Sequence, residues 1–163
     1  LAHLWPWSHE GGEGASRFFR DRTIGFDDTY SLCIENSHAV DSRWLATTLG
    51  PAFGGPPFPD QARYRLSGYL KTEAVEQGAG LAIRLHRPGH GDLFKPQDYE
   101  LFASTTMAAG TAEWRRLHVE TPCISPPPDR LHLLLNLHGR GKCWFDNIQL
   151  EMIRGGFIEK AEP

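Results

Sequence analysis

RLHLLLNLHGRGKCWFDNIQLE, residues 130 to 151, is the stretch whose reading decides the fold. Its first half is the strongest helical competitor in the chain, because leucine is a good helix former. Yet Pro126, Pro127, Pro128 and Asp129 stand before it and Gly139-Arg140-Gly141 after it. The run left between those breakers has the length of a strand. In the second half Cys143 and Phe145 share one parity, whereas Ile148 and Leu150 share the other. Both pairs can face one core only if the register slips at Asp146-Asn147, so a β-bulge or a cation site is expected there.

Working outward, short period-two runs recur: YSLCIEN (30–36), RWLATTL (43–49), ARYRLSGYLK (62–71), LAIRLHR (81–87), YELFAST (99–105) and EWRRLHVE (113–120). Gly, Pro, Asn or Asp bounds each. The separators GPAFGGPPFPD (50–60), EQGAG (76–80), RPGHGD (87–92) and TPCISPPPD (121–129) disfavour continuous helix, and no helix is expected. Evenly spaced strands with a long Pro-rich connection predict an all-β fold: an antiparallel two-sheet β-sandwich of jelly-roll type.

The totals agree with one domain over residues 1–163. The chain has 163 residues, 40% of them apolar and 23% charged, with a formal charge of -3. That length can bury a core, and that charge points away from nucleic acid. No apolar run approaches the roughly 20 residues of a membrane helix, so no membrane partner is expected. Cys33, Cys123 and Cys143 are odd in number and lack zinc spacing, and read as small apolar fillers. The start, LAHLWPW, with Trp5 and Trp7, reads as cut from something longer, with a leading strand expected to be absent.

YSLCIEN, RYRLSGYLKTE, EWRRLHVETP and RLHLLLNLHGRGKCWFDNIQLE together resemble the CenC-type carbohydrate-binding modules and their relatives with the galactose-binding-like jelly roll. The closing pattern, aromatic-aromatic-Asp-Asn-aliphatic-x-Leu, carries most of the likeness. The resemblance implies a non-catalytic attachment to a larger polysaccharide-acting protein, with carbohydrate and the parent's other domains as partners. It also implies an extracellular or periplasmic location. In relatives an opening acidic residue joins the Asp of the closing strand in a structural calcium site; Asp146 matches that Asp, and the opening segment has no counterpart here. Calcium prefers such oxygen ligands, with Asn147, Glu35 and Glu151 as further candidates.

Alternation also assigns faces. With Leu45, Thr47 and Leu49 inward, Trp44 points out; with Ile83 and Leu85 inward, Arg84 and His86 point out; the same parity turns His132, Asn136 and His138 outward. Together with Tyr99 these strands make an aromatic, polar and cationic surface. Such a surface suits a sugar, whose C–H face stacks on a ring while its hydroxyls bond polar groups. The expected ligand-binding residues are Trp44, Arg84, His86, Tyr99, His132 and Asn136, with a fork at Arg84 suited to an acidic sugar. A second outward face carries Arg65, Tyr69, Lys71, Arg116, His118 and Trp144. The rival reading is a structural or protein-interaction sandwich that packs against a catalytic neighbour. No nucleophile elbow, zinc set or carboxylate pair argues for an enzyme, and no catalytic residue is expected.

Overall fold

The 24-residue strand Arg63–His86 organises the molecule, because it bends from one sheet into the other. The computed structural model describes residues 3–4, 6–27, 30–49, 55–155 and 157–161. Their strands are β1 (His3–Leu4), β2 (Ser8–Gly11), β3 (Ser16–Asp21), β4 (Ser31–Asn36), β5 (Asp41–Leu49), β6 (Arg63–His86), β7 (Glu100–Ser104), β8 (Ala108–Glu120), β9 (Arg130–His138), β10 (Gly141–Arg154) and β11 (Phe157–Ala161). Among the described residues the sole helical piece is a short 3-10 turn at Pro96–Asp98.

The first half of β6 lies between β10 and β8, and β4 and β3 extend that layer beyond β10. Where the β4–β10 pairing stops, at Leu32 and Phe145, β10 runs on past the bulge and pairs β11 along Leu150–Arg154. The second half of β6 lies between β9 and β7, and β5, with β1 and β2 on its far edge, completes the second layer. All the pairings are antiparallel. The result is the expected all-β sandwich, with both layers joined through the bend of β6.

The core lies between the layers. Tyr64, Leu66 and Leu70 from β6 meet Leu81, Ile83 and Leu85 of its own far half, with Leu131, Leu133, Leu135 and Leu137 from β9 and Cys143, Phe145, Ile148 and Leu150 from β10. These are the inward residues that alternation assigns. At about 25 cal/mol per Å², each fully buried leucine contributes roughly 2 kcal/mol relative to exposure. The bulge stands where the parity slip predicts it: the β10–β6 register shifts between Asp146 and Gln149, and Asn147 adopts φ +51°. Ile148 thereby swings inward over Gly68, where any Cβ would collide with it.

Three expectations change. Trp44 points inward: it is 7% exposed, on the parity of buried Ser42, Ala46 and Thr48. EQGAG is no turn but the bend within β6, where a Cβ on Gly78 or Gly80 would come within 2.6 Å of Met107 or Thr105. Ahead of Tyr30, a segment without a predicted strand, lie β1, β2 and β3. Trp5 and residues 50–54 of the Pro-rich connection lie outside the described residues.

Candidate functional site: a cleft on the concave sheet

The face of the second layer that points away from the core is built in rows. Antiparallel register puts Arg43, Asn136 and Gly80 side by side, then Leu45, Leu134 and Ala82, then Thr47, His132 and Arg84. Side chains at these positions share one side of the sheet because successive residues alternate. Tyr99, Pro96 and Leu101 rise at the β7 edge, and Met107 at the bend. Between them lies a cavity of about 410 Å³, lined also by His138. The small Ala82 side chain lies on its floor, and Met107 closes over Gly80 at its end.

Tyr99 lies flat on this floor. Its ring stacks on His132 with centroids 4.2 Å apart and planes 17° apart, and the Arg84 guanidinium sits 5.4 Å from its centre. Its hydroxyl donates to the Leu93 carbonyl at 2.8 Å, which holds the ring at that tilt. His132 takes one face of the ring, and Tyr99 lines the cavity. Leu101, 66% exposed, adds an apolar rim.

An ion-pair network lies beside the ring. Glu10 of β2 accepts from Arg43 Nη1 at 2.8 Å through Oε1, and from Arg84 Nη1 at 2.8 Å and Nη2 at 3.1 Å. Burial pushes the Glu10 carboxyl up, but the hydrogen bonds and charges of the two arginines outweigh it and hold the group below its usual range. Arg84 Nε donates to His132 Nδ1 at 2.8 Å, so that imidazole is a neutral acceptor with its proton on Nε2. Burial first, then the charges of Arg84 and Arg130, lowers His132 to about 3. Arg43 Nε donates to Asn136 Oδ1 at 3.1 Å, and among the described residues nothing accepts from Asn136 Nδ2. That amide is a donor placed at the cavity.

Of the six residues expected to bind ligand, Arg84, Tyr99 and Asn136 line the cavity. His132 and His86 lie beneath or beside Tyr99 as buried supports, His86 with Nδ1 2.8 Å from Asp129 Oδ1. Trp44 does not belong to this face: its Nε1 donates to the Cys33 carbonyl at 3.1 Å, and its indole meets the edges of Phe18 and His9. It fastens β5 to β4 across the sandwich. The fork at Arg84 is also not free, since all three guanidinium nitrogens are engaged. Arg43, Leu101 and Glu10 escaped the sequence reading; turning Trp44 inward is the one change that brings Arg43 outward.

The second outward face is covered in part, with Arg116 and His118 exposed and a cavity of about 350 Å³ left between Tyr69, Arg116 and Asn147. Phe26 stacks on Tyr69 at 3.6 Å and 14°, with Trp114 edge-on at 6.1 Å. Trp144 is buried and donates to Asp21 Oδ2 at 3.0 Å. Lys71 is paired with Glu113 and Arg65 with Glu120. The segment leading from β3 towards β4 therefore roofs part of this sheet.

At the bulge, Asp146 accepts from the Phe26 amide at 2.7 Å and the Asn147 amide at 2.8 Å, and Asn147 Nδ2 donates to Asp27 at 2.6 Å. Glu35 is drawn instead to Arg17 and Lys142, and Glu151 to Arg65. Among the described residues no three His, Cys, Asp or Glu side chains gather to hold a metal ion. Asp146 fastens the bulge to the Phe26 loop. Asp28 lies outside the described residues. A second cavity of about 410 Å³ opens beside the bulge, between Trp7, Arg20, Tyr30 and Asp146.

Two antiparallel layers in this order form a β-sandwich. No protein-family model matches the chain, and no curated protein matches it. Solved structures do. The chain is similar to the TmCBM61 module crystallised with β-1,4-galactotriose, at 14% identity and TM-score 0.54 over 91% of this chain and 90% of that one. It is similar to the CBM22-2 xylan-binding domain of Paenibacillus barcinonensis Xyn10C, at 16% identity and TM-score 0.59 over 88% and 89%. It also matches the enzymatically active domain of bacteriophage CBA120 tailspike protein 4, at 12% identity and TM-score 0.62, covering 90% of this chain and 19% of that one. At such identities the likeness is one of fold.

Proposed function

We propose that the domain is a non-catalytic carbohydrate-binding module that holds a poly- or oligosaccharide in the concave cleft, as an ancillary part of a larger polysaccharide-acting protein outside the cytoplasm. The observation that carries this is the tyrosine laid flat beside a free amide donor and an arginine, in a cavity of about 410 Å³. Tyr99 offers a sugar ring a stacking surface; Asn136 Nδ2 and the unused nitrogen of Arg43 offer its hydroxyls donors. Galactotriose and xylan, the ligands of the similar modules, are built from rings of this kind.

Absence of catalysis is part of the proposal. Glycoside hydrolysis needs two carboxyl groups across the scissile bond, one of them able to carry a proton. Among the described residues the cavity lining includes no carboxylate, and Glu10 beside it is held ionised between two arginines. Affinity gel electrophoresis with soluble xylan and β-1,4-galactan tests the reading. Wild-type protein is retarded by at least one of them, and Tyr99→Ala loses about tenfold or more in affinity, a loss near the size of an aromatic contact. A Tyr99→Ala protein retarded as strongly as wild type puts the sugar elsewhere.

The second reading, packing against a neighbouring domain, has its own observation. Phe157 and Ile158 are 81% and 55% exposed on the edge strand β11, remote from the cleft.

A further inference from the structure

The cleft contains an unusual economy of charge. Two arginines stand on its floor, on either side of the row Leu45, Leu134 and Ala82, and both bond the same carboxylate oxygen, Oε1 of Glu10. Arg84 adds a second bond to Oε2, giving the two-point geometry in which guanidinium ordinarily takes a carboxylate ligand. Glu10 comes from β2, a short strand on the far edge of the sheet, and is only 23% exposed at its side chain. It therefore stands where the acid group of a uronic sugar would have to stand. Neighbouring polar groups are matched too: His138 Nδ1 lies 2.8 Å from Asp41 Oδ1, and Arg87 pairs with Glu100 at 3.1 Å.

Resting on the carbohydrate reading above, we propose that Glu10 is the residue that sets ligand charge: an internal carboxylate that occupies the arginine forks and so excludes acidic sugars from the cleft. A uronate in the cavity would meet an Arg84 fork already taken at two points by Glu10, and could claim that fork only by displacing it. Removing the charge of Glu10 turns the same two arginines into an anion site, because two partly buried cations are left without their shared counter-ion. Discrimination then comes from a repulsive element, not from a contact with the preferred ligand.

The test uses neutral xylo-oligosaccharide and oligogalacturonate of equal length, titrated calorimetrically into wild type, Glu10→Gln and the double variant Glu10→Gln/Arg43→Gln, each checked for fold by circular dichroism. Wild type is expected to prefer the neutral ligand by about tenfold or more. Glu10→Gln gains about tenfold or more for oligogalacturonate, the gain shrinks in about 0.5 M NaCl, and the double variant loses it. Wild type binding both ligands alike overturns the proposal, even if no variant folds. So does a folded Glu10→Gln without the gain. A separate readout is the arginine Nε–H resonances during addition of free glucuronate: a response in Glu10→Gln and none in wild type supports the gating role, and a response in both overturns it. Wild type that binds neither polysaccharide sinks the carbohydrate reading, and the glucuronate readout still decides the role of Glu10.

Discussion

The two outward sheet faces start from the same kind of sequence and end differently. The first layer presents Arg65, Tyr69, Lys71 and Trp144, the second Arg43, Arg84, His132 and Asn136. On the first, Phe26 lies on Tyr69 and Asp21 caps the Trp144 indole, so these aromatic groups are engaged inside the domain, and the cavity left beside Tyr69 and Arg116 is the smaller, about 350 Å³. On the second, the segment before β7 brings in Tyr99 and stops at the rim, leaving a cavity. Aromatic and cationic residues on an outward face are thus not sufficient for a binding surface. A remote segment decides whether they stay open.

The comparison can be broken at its framework. Trp44 joins the two layers, and Trp44→Ala removes a buried indole together with its bond to Cys33, so urea unfolding should show a loss of about 3–5 kcal/mol. A loss below about 1 kcal/mol would mean that the indole is not part of the core.

It can be sharpened at the buried imidazole under the cleft. The folded state holds His132 at about 3, well below the ordinary 6.5, so the unfolded chain takes up a proton that the folded chain refuses. Stability from this group is present above pH 6.5 and lost as pH falls towards 3, by a few kcal/mol at most, roughly 1.4 per unit. His132→Asn keeps an acceptor for Arg84 Nε and should flatten that part of the profile; an unchanged slope would place the titration elsewhere.

The smallest effect concerns the partly covered face. Phe26→Ala removes the roof over Tyr69 and should cost about 1 kcal/mol, the size of a stacked aromatic pair, without altering glycan affinity in the cleft. Weakened glycan binding in that variant would move the site to the first layer.

Much of this architecture was legible in the sequence. The parity slip at Asp146-Asn147 requires the bulge, and the leucines of β9 can serve one face only as a strand. The outward rows of Arg84, His132 and Asn136 follow from the same alternation. Trp44 was not legible, because RWLATTL is apolar on both parities: Trp44 and Ala46 on one, Leu45 and Leu49 on the other. The tighter site takes the indole, whose N–H finds a carbonyl in the opposite layer. The continuity of β6 was hidden as well, since Gly78 and Gly80 mimic a turn while serving the close approach of Met107 and Thr105. The pairing of Arg84 with Glu10 spans 74 positions in sequence, from a strand too short and polar to announce itself.

A crystal structure of the domain with a bound xylo- or galacto-oligosaccharide tests the central claim most directly. A sugar ring over Tyr99, with hydroxyls within hydrogen-bond distance of Asn136 Nδ2 and Arg43, is the predicted result. A ligand seated in the cavity between Trp7 and Tyr30, or on β11, with the cleft of the second layer left open, would contradict it.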